Sequence, residues 1–114
     1  MSKSWIPQAG DLIKLDLEPR IGHEQAGWRP ALVISEGAYN RPAGLCLVCP
    51  VTSQVNGYPF EVRLPDRGGI AGVILSDHVK SVDFKARHAK LIDTAPREVL
   101  DIVRGYVALL IGAK

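Results

Sequence analysis

Apolar and polar residues alternate from Asp11 to Leu17, with Ile13, Leu15 and Leu17 on one face and Lys14 and Asp16 on the other. That is the period of a half-buried strand. Arg29 to Ser35 is an apolar run rich in β-formers, bounded by Pro30 and Ser35, and predicts a second, more deeply buried strand. Glu36 to Gly44 holds Gly37, Asn40, Pro42 and Gly44, which predicts a connection with room for one helical turn. Leu45 to Val51 reads as a third strand, and Thr52 to Tyr58 as a polar loop turning at Asn56-Gly57. Phe60, Val62 and Leu64 alternate with Glu61 and Arg63 as a fourth strand, Pro65 to Gly69 reads as a turn, and Gly72 to Leu75 as a fifth short strand. Val79 to Phe84 and Ala89 to Ile92 suggest further strands around a bend.

The period changes at the C-terminal end. Val99, Val103, Tyr106 and Leu110 share one helical face with Leu100 and Val107 beside it, while Arg97, Glu98, Asp101 and Arg104 fall opposite. Thr94 is positioned to cap this helix, Pro96 suits its first turn, and Gly112 ends it. Residues 1–9 read as a weakly structured arm. Short strands with turns every eight to twelve residues, followed by one helix, predict a mainly β small barrel with a C-terminal helix.

The chain's 114 residues suit one domain over residues 1–114, and 46% apolar residues can fill a core without staples. Fourteen basic against twelve acidic residues give +2, a mild bias compatible with nucleic acid. No apolar run reaches the length of a membrane span, and Met1 to Pro7 has no apolar signal core, so a cytoplasmic protein without membrane contact is expected. Cys46 and Cys49 have C-x-x-C spacing, but on a strand that spacing sends them to opposite faces, and no second pair completes a zinc site. They are expected to be reduced thiols in a β-core.

Chemistry concentrates between Gly22 and Ser35. A polar loop carries His23, Glu24, Gln25, Gly27 and Trp28, and Arg29 opens the strand behind it. An acid and a cation held beside a buried strand have the fixed geometry that catalysis needs. The simpler reading is that Glu24 and Arg29 pair with each other across the loop.

At these residues the sequence resembles the MazF/PemK family of toxin endoribonucleases. The resemblance rests on Gly10-Asp11-Leu12-Ile13, on Gly22-His23-Glu24-Gln25-Ala26-Gly27 with Arg29-Pro30-Ala31-Leu32-Val33, and on Pro50-Val51-Thr52-Ser53. It continues in Gly57-Tyr58-Pro59-Phe60-Glu61-Val62 and Ser76-Asp77-His78-Val79-Lys80-Ser81. It implies an SH3-like barrel with a C-terminal helix, which agrees with the strand reading. It further implies a homodimer that cuts single-stranded RNA, without metal or cofactor, and a partner antitoxin that neutralises it.

Such cleavage uses the RNA's own 2′-OH against the neighbouring phosphorus, and needs a base, an acid and charge to meet the phosphorane. The resemblance assigns the base to Glu24. Arg29 offers a planar fork for phosphoryl oxygens, and Thr52 a hydroxyl; these three are the candidate catalytic residues. His23, Gln25, Trp28, Ser53, Asp77, His78 and Lys80 are candidate substrate contacts. Trp28 could stack on a base or cover the core edge, and His78 stands where relatives often carry Gln. Trp5 and His88 read as structural or surface groups.

Two other functions compete. Gyrase poisons of the CcdB type share the barrel but end in an aromatic-Gly-Ile tail, whereas this chain ends Leu110-Ile111-Gly112-Ala113-Lys114. A proline-peptide module needs an aromatic groove, and aromatics are only 6% here and scattered. The helix stripe, with Ile70, Val73 and Ile74, exceeds what one small core obviously requires, which argues for a two-fold interface. RNA would lie in a groove shared by two copies, held by Lys80, Arg87 and similar charges.

Overall fold

The computed structural model describes residues 5–16 and 28–113. Among these described residues seven antiparallel strands and two helices follow in the order β1 (Asp11–Asp16), β2 (Trp28–Val33), α1 (Gly37–Ala43), β3 (Cys46–Thr52), β4 (Glu61–Arg67), β5 (Ile70–Leu75), β6 (Lys80–Val82), β7 (Lys90–Thr94) and α2 (Arg97–Ile111). The strands form one curled sheet in the order β4-β5-β3-β2-β1-β7, with β6 added beside β3. The mainly β fold with a C-terminal helix is as expected, and the sheet of the expected small barrel is curled into a half-barrel. Its two end strands approach each other: the Arg67 guanidinium donates from Nη1 to the Thr94 carbonyl at 3.2 Å. No helix among the described residues is long and apolar enough to cross a membrane.

Apolar residues occupy both faces of β1, β2 and β3, because the sheet curls around two clusters. Leu12, Leu32, Cys49 and Val51 join Val62, Leu64, Ile70 and Ile74 under α2, whose Val99, Leu100 and Val103 complete the first cluster. Ile13, Leu15, Ala31, Val33, Cys46 and Val48 face the other way, against Val82 and Phe84. Cys46 and Cys49 therefore lie on opposite faces as free, buried thiols. Burial pushes each up to about 12, with Asp11 adding to the effect at Cys46 and Asp77 at Cys49.

Several sequence expectations are corrected. Pro65 and Asp66 do not leave the sheet: β4 runs on to Arg67 through a register shift after Leu64, so only Gly68-Gly69 turns. Thr94 does not cap α2; Pro96 holds the N-cap position without a side-chain bond, and the Thr94 amide is taken by its neighbour Asp93. The helix ends at Gly112 as read, in the left-handed conformation that glycine adopts without cost. Arg104, assigned to the polar face, is partly buried and reaches β2's exit, donating from Nε and Nη2 to the Ile34 carbonyl at 3.0 and 2.8 Å and pairing with Glu36.

The connection after β2 holds a full helix, α1, with Asn40 wholly buried. Asn40 donates to the carbonyls of Pro7 and Ser35 and accepts from the Ser35 hydroxyl. That ties down part of the arm read as weakly structured, and Pro7 is itself buried. Ile70, Val73 and Ile74 are each 3% exposed or less, so they fill this chain's own core and supply no argument for a dimer. Leu110 is 45% exposed rather than packed on the sheet.

Candidate functional site

β2 and β3 carry the site past the end of the second cluster. Side chains alternate along a strand, so Arg29 shares a face with Ala31 and Val33, and Thr52 with Pro50 and Val48. Ala31 is paired with Pro50. Beyond that last pair, Arg29, exposed, and Thr52, half-buried, line one groove. Two groups 23 residues apart in sequence thus meet on one ledge.

Thr52 is fixed from the other side by β5, through its pairing with Val73. Gly72 makes that approach possible. Its φ is +123°, and a Cβ there would stand against the Thr52 carbonyl oxygen and 2.9 Å from the Ser53 Cα. Only glycine tolerates both the conformation and the contact. The Thr52 hydroxyl accepts the Gln54 amide at 3.0 Å, which leaves its own hydrogen to donate.

The ledge floors a groove of about 910 Å³ lined by Trp28, Arg29, Pro50, Thr52, Ser53 and Leu75, with Lys14 and Lys80 at its flanks. Among the described residues that line it, three are cations and none is a carboxylate. Arg29, Thr52, Ser53, Trp28 and Lys80, proposed separately from sequence, are therefore brought together. Trp28 is 41% exposed, and the Lys90 ammonium lies 5.2 Å from its ring centre, so one ring face is already engaged by a cation.

Asp77 and His78 line a second hollow of about 260 Å³, which shares Thr52 and Leu75 with the groove. They sit at a break in the sheet. Ile74 pairs with Val51 and Lys80 with Val48, so six steps of chain face three on β3, and three extra residues are looped out. His78 Nε2 lies 3.8 Å from the Asp77 carboxylate, both half exposed. The hollow differs from the groove in charge: Glu61 and Asp77 line it with Asn56, Tyr58 and His78. Glu61 also orders its wall, accepting the amides of Asn56 and Gly57 at 3.2 and 2.8 Å. Between core and hollow, the Ser76 hydroxyl is buried without a partner among the described residues.

His23, Glu24 and Gln25 lie outside the described residues. Sequence reading missed Lys14, Gly72, Gln54 and Asn56. Lys14 could be placed on a polar strand face, but only the pairing of β1 with β2 brings it to the groove. Trp5 packs beside the second cluster, as expected of a structural group, and His88 is exposed at φ +52°. Among the described residues no three His, Cys, Asp or Glu side chains cluster as metal ligands would.

Residues 8–111 match the family described as PemK-like, MazF-like toxin of type II toxin–antitoxin system. The chain is 44% identical to the endoribonuclease toxin MazF of Escherichia coli K12 over 114 residues, covering 98% of this chain and all of that one. A crystal structure of MazF from Deinococcus radiodurans superposes with a TM-score of 0.84 at 50% identity, covering 96% of this chain and 99% of that one. A MazE–MazF complex from the same organism gives a TM-score of 0.86 at 44% identity, over 97% of this chain and 100% of the matched chain.

Proposed function

The chain belongs to the PemK-like, MazF-like toxin family of type II toxin–antitoxin systems, and from that premise we propose that it is an endoribonuclease that cuts single-stranded RNA by attack of the RNA's own 2′-OH. The observation that carries the reading is the groove in which Arg29 and Thr52 converge among Lys14 and Lys80, with no carboxylate among its described lining. A phosphodiester seated there meets a bidentate donor, a hydroxyl donor and flanking positive charge.

Glu24 takes the 2′ proton. The 2′ oxygen bonds to phosphorus, the bond to the 5′ oxygen breaks, and that oxygen leaves with a proton drawn from water, while the proton held by Glu24 returns to solvent. The products are a 2′,3′-cyclic phosphate and a 5′-hydroxyl. Arg29 meets the charge that develops on the phosphorane, and Thr52 donates to one of its oxygens, an effect worth most where charge grows towards the transition state. No step requires a metal. His23, Gln25, Trp28, Ser53, Asp77, His78 and Lys80 hold the flanking nucleotides. The hollow at Asp77 and His78, with acceptors and an imidazole on its walls, suits base edges better than phosphate.

The working unit is a homodimer in the cytoplasm. Ile102, Leu109, Leu110 and Ile111 remain exposed on α2, an apolar end that a second copy would cover. The cognate antitoxin, the counterpart of MazE in the relative's complex, blocks the groove. The test is cleavage of a mixed-sequence RNA with EDTA present, beside the same RNA carrying a 2′-deoxy sugar at each mapped cut site. Cutting of the first and not the second is expected. Normal cutting of the deoxy substrate removes the mechanism.

A further inference from the structure

The walls of the hollow at Asp77 and His78 spring from one rung of the sheet. Glu61 opens β4 and pairs with Leu75, which closes β5. On one side the His78 amide folds back to the Leu75 carbonyl at 3.1 Å and sets the turn that carries Asp77 and His78. On the other, the loop after β3 folds back onto Glu61 itself. We propose that Glu61 is a positioning residue for base selection: its carboxylate holds this loop so that Asn56 presents its carboxamide to one base of the RNA, which fixes the base accepted there. The proposal rests on the nuclease reading above.

The Glu61 carboxylate takes two successive backbone donors. Oε1 accepts the Gly57 amide at 2.8 Å, and the Asn56 amide lies 3.2 Å from both oxygens. Gly57 has φ +78°. Successive amides in such a turn converge on a single anion, and concavities of this kind commonly hold a phosphate. Here the chain fills the concavity with its own carboxylate, so the loop is ordered before any substrate arrives.

The loop is pinned at its start as well, where the Gln54 amide donates to the Thr52 hydroxyl at 3.0 Å. Just past that anchor, and held by Glu61, Asn56 lines the hollow with Tyr58, Asp77 and His78. A carboxamide offers both donors and an acceptor, so it can match the edge of one base and oppose that of another. That discrimination needs a fixed placement, because a hydrogen bond weakens steeply once it is bent or stretched. Thr52 is fixed independently, through its pairing with Val73 on β5. Freeing the loop therefore disturbs selection before it disturbs cutting.

Amide exchange and cut-site mapping on the same proteins test this. Glu61→Ala should speed exchange of the Asn56 and Gly57 amides about tenfold, the scale of one lost hydrogen bond to a charged group, while the amides of β4 and β5 stay protected. On a mixture of transcripts it should lower the base preference at one position of the wild-type word about tenfold and leave the other positions alone. Glu61→Gln keeps an acceptor for Gly57 and should fall between; it carries both comparisons if Glu61→Ala does not fold. Asn56→Ala, which retains both amides, should relax the same position, and the double variant should relax it no further. Unchanged exchange at both amides overturns the clamp. Fast exchange with an unchanged word, or a rate lowered equally at every site, marks a structural residue and overturns the role in selection. Additive losses of preference make Glu61 a direct contact and overturn the positioning role. A wild-type protein that cuts RNA without base preference overturns the inference alone, whereas failure to cut any RNA removes the nuclease reading and the inference with it.

Discussion

The carbonyl oxygen of Thr52 occupies the space where a side chain on Gly72 would begin. A substitution on β5 therefore acts on the ledge of Arg29 and Thr52 from behind. Gly72→Ala must move the Thr52–Ser53 backbone or distort a residue at φ +123°, a strain of about 1–3 kcal/mol. The expected result is a lower melting temperature together with a loss of cleavage larger than the loss of folded protein explains. Full activity in a well-folded Gly72→Ala protein would show that Thr52 can shift freely.

Arg29 is exposed at the start of β2 and outside both apolar clusters of the described residues, so its removal should separate activity from stability. Arg29→Ala is expected to slow single-turnover cleavage by roughly 10²–10⁴-fold while the melting curve hardly moves. Thr52→Val keeps the shape but deletes one donor, and about a 10²-fold loss is expected. Kinetics under saturating RNA decide whether the loss lies in kcat, as the transition-state role requires.

The two cysteines should be chemically silent in the native protein. Their thiols are buried and pushed up to about 12, so the nucleophilic thiolate is scarce at neutral pH. A thiol-specific chromogenic reagent at pH 8 should react only as fast as the protein opens, and at once in strong denaturant. Rapid labelling of folded protein would place a thiol at the surface.

Asp11 gives a pH dependence of unusual sign for a carboxylate. It is 7% exposed, and desolvation raises its pKa, partly offset by the Gln8 amide it accepts. The folded state thus binds the proton more tightly than the unfolded chain does. Its contribution is greatest at low pH and is lost as pH rises from the ordinary carboxylate range through the raised folded value. Asn at this position can still accept the Gln8 amide and has no charge to bury. Urea titrations should show the advantage of Asp11→Asn growing with pH across that window and then levelling. A difference that shrinks with pH contradicts the desolvated site.

The Ser76 hydroxyl, buried without a partner among the described residues, should be dispensable for folding. Ser76→Ala removes a desolvated polar group at little cost in packing, so stability should hold or rise by about 1 kcal/mol. A clear loss would reveal a partner such as a trapped water.

Sequence periodicity located nearly every strand because apolar alternation is imposed by the sheet itself, as Ile13 and Leu15 show. It also separated Cys46 from Cys49 correctly, since period two is a property of the extended backbone. It failed where a long-range contact decides the outcome. Arg104 has the spacing of a solvent-facing residue, and only the arrival of Ile34 gives it a buried acceptor. Asn40 reads as a turn residue until Pro7, 33 positions away, supplies its carbonyl. Pro65 reads as a strand-breaker, yet β4 accommodates it at a register shift. The family pattern pointed to Arg29 and Thr52, but their meeting depends on the pairing of β2 with β3, which no local spacing encodes.

The four residues between β5 and β6, Ser76 to Val79, which carry the three-residue excess over β3, leave the hydrogen-bonding ladders on both sides intact. Substitutions at Asp77, His78 or Val79, or a change in the length of that stretch, need not slip any strand, because no ladder counts through it. The wall of the base-sized hollow can therefore vary while the ledge of Arg29 and Thr52 stays fixed. On the proposed reading of the two sites, the word that is read can drift independently of the cut that is made.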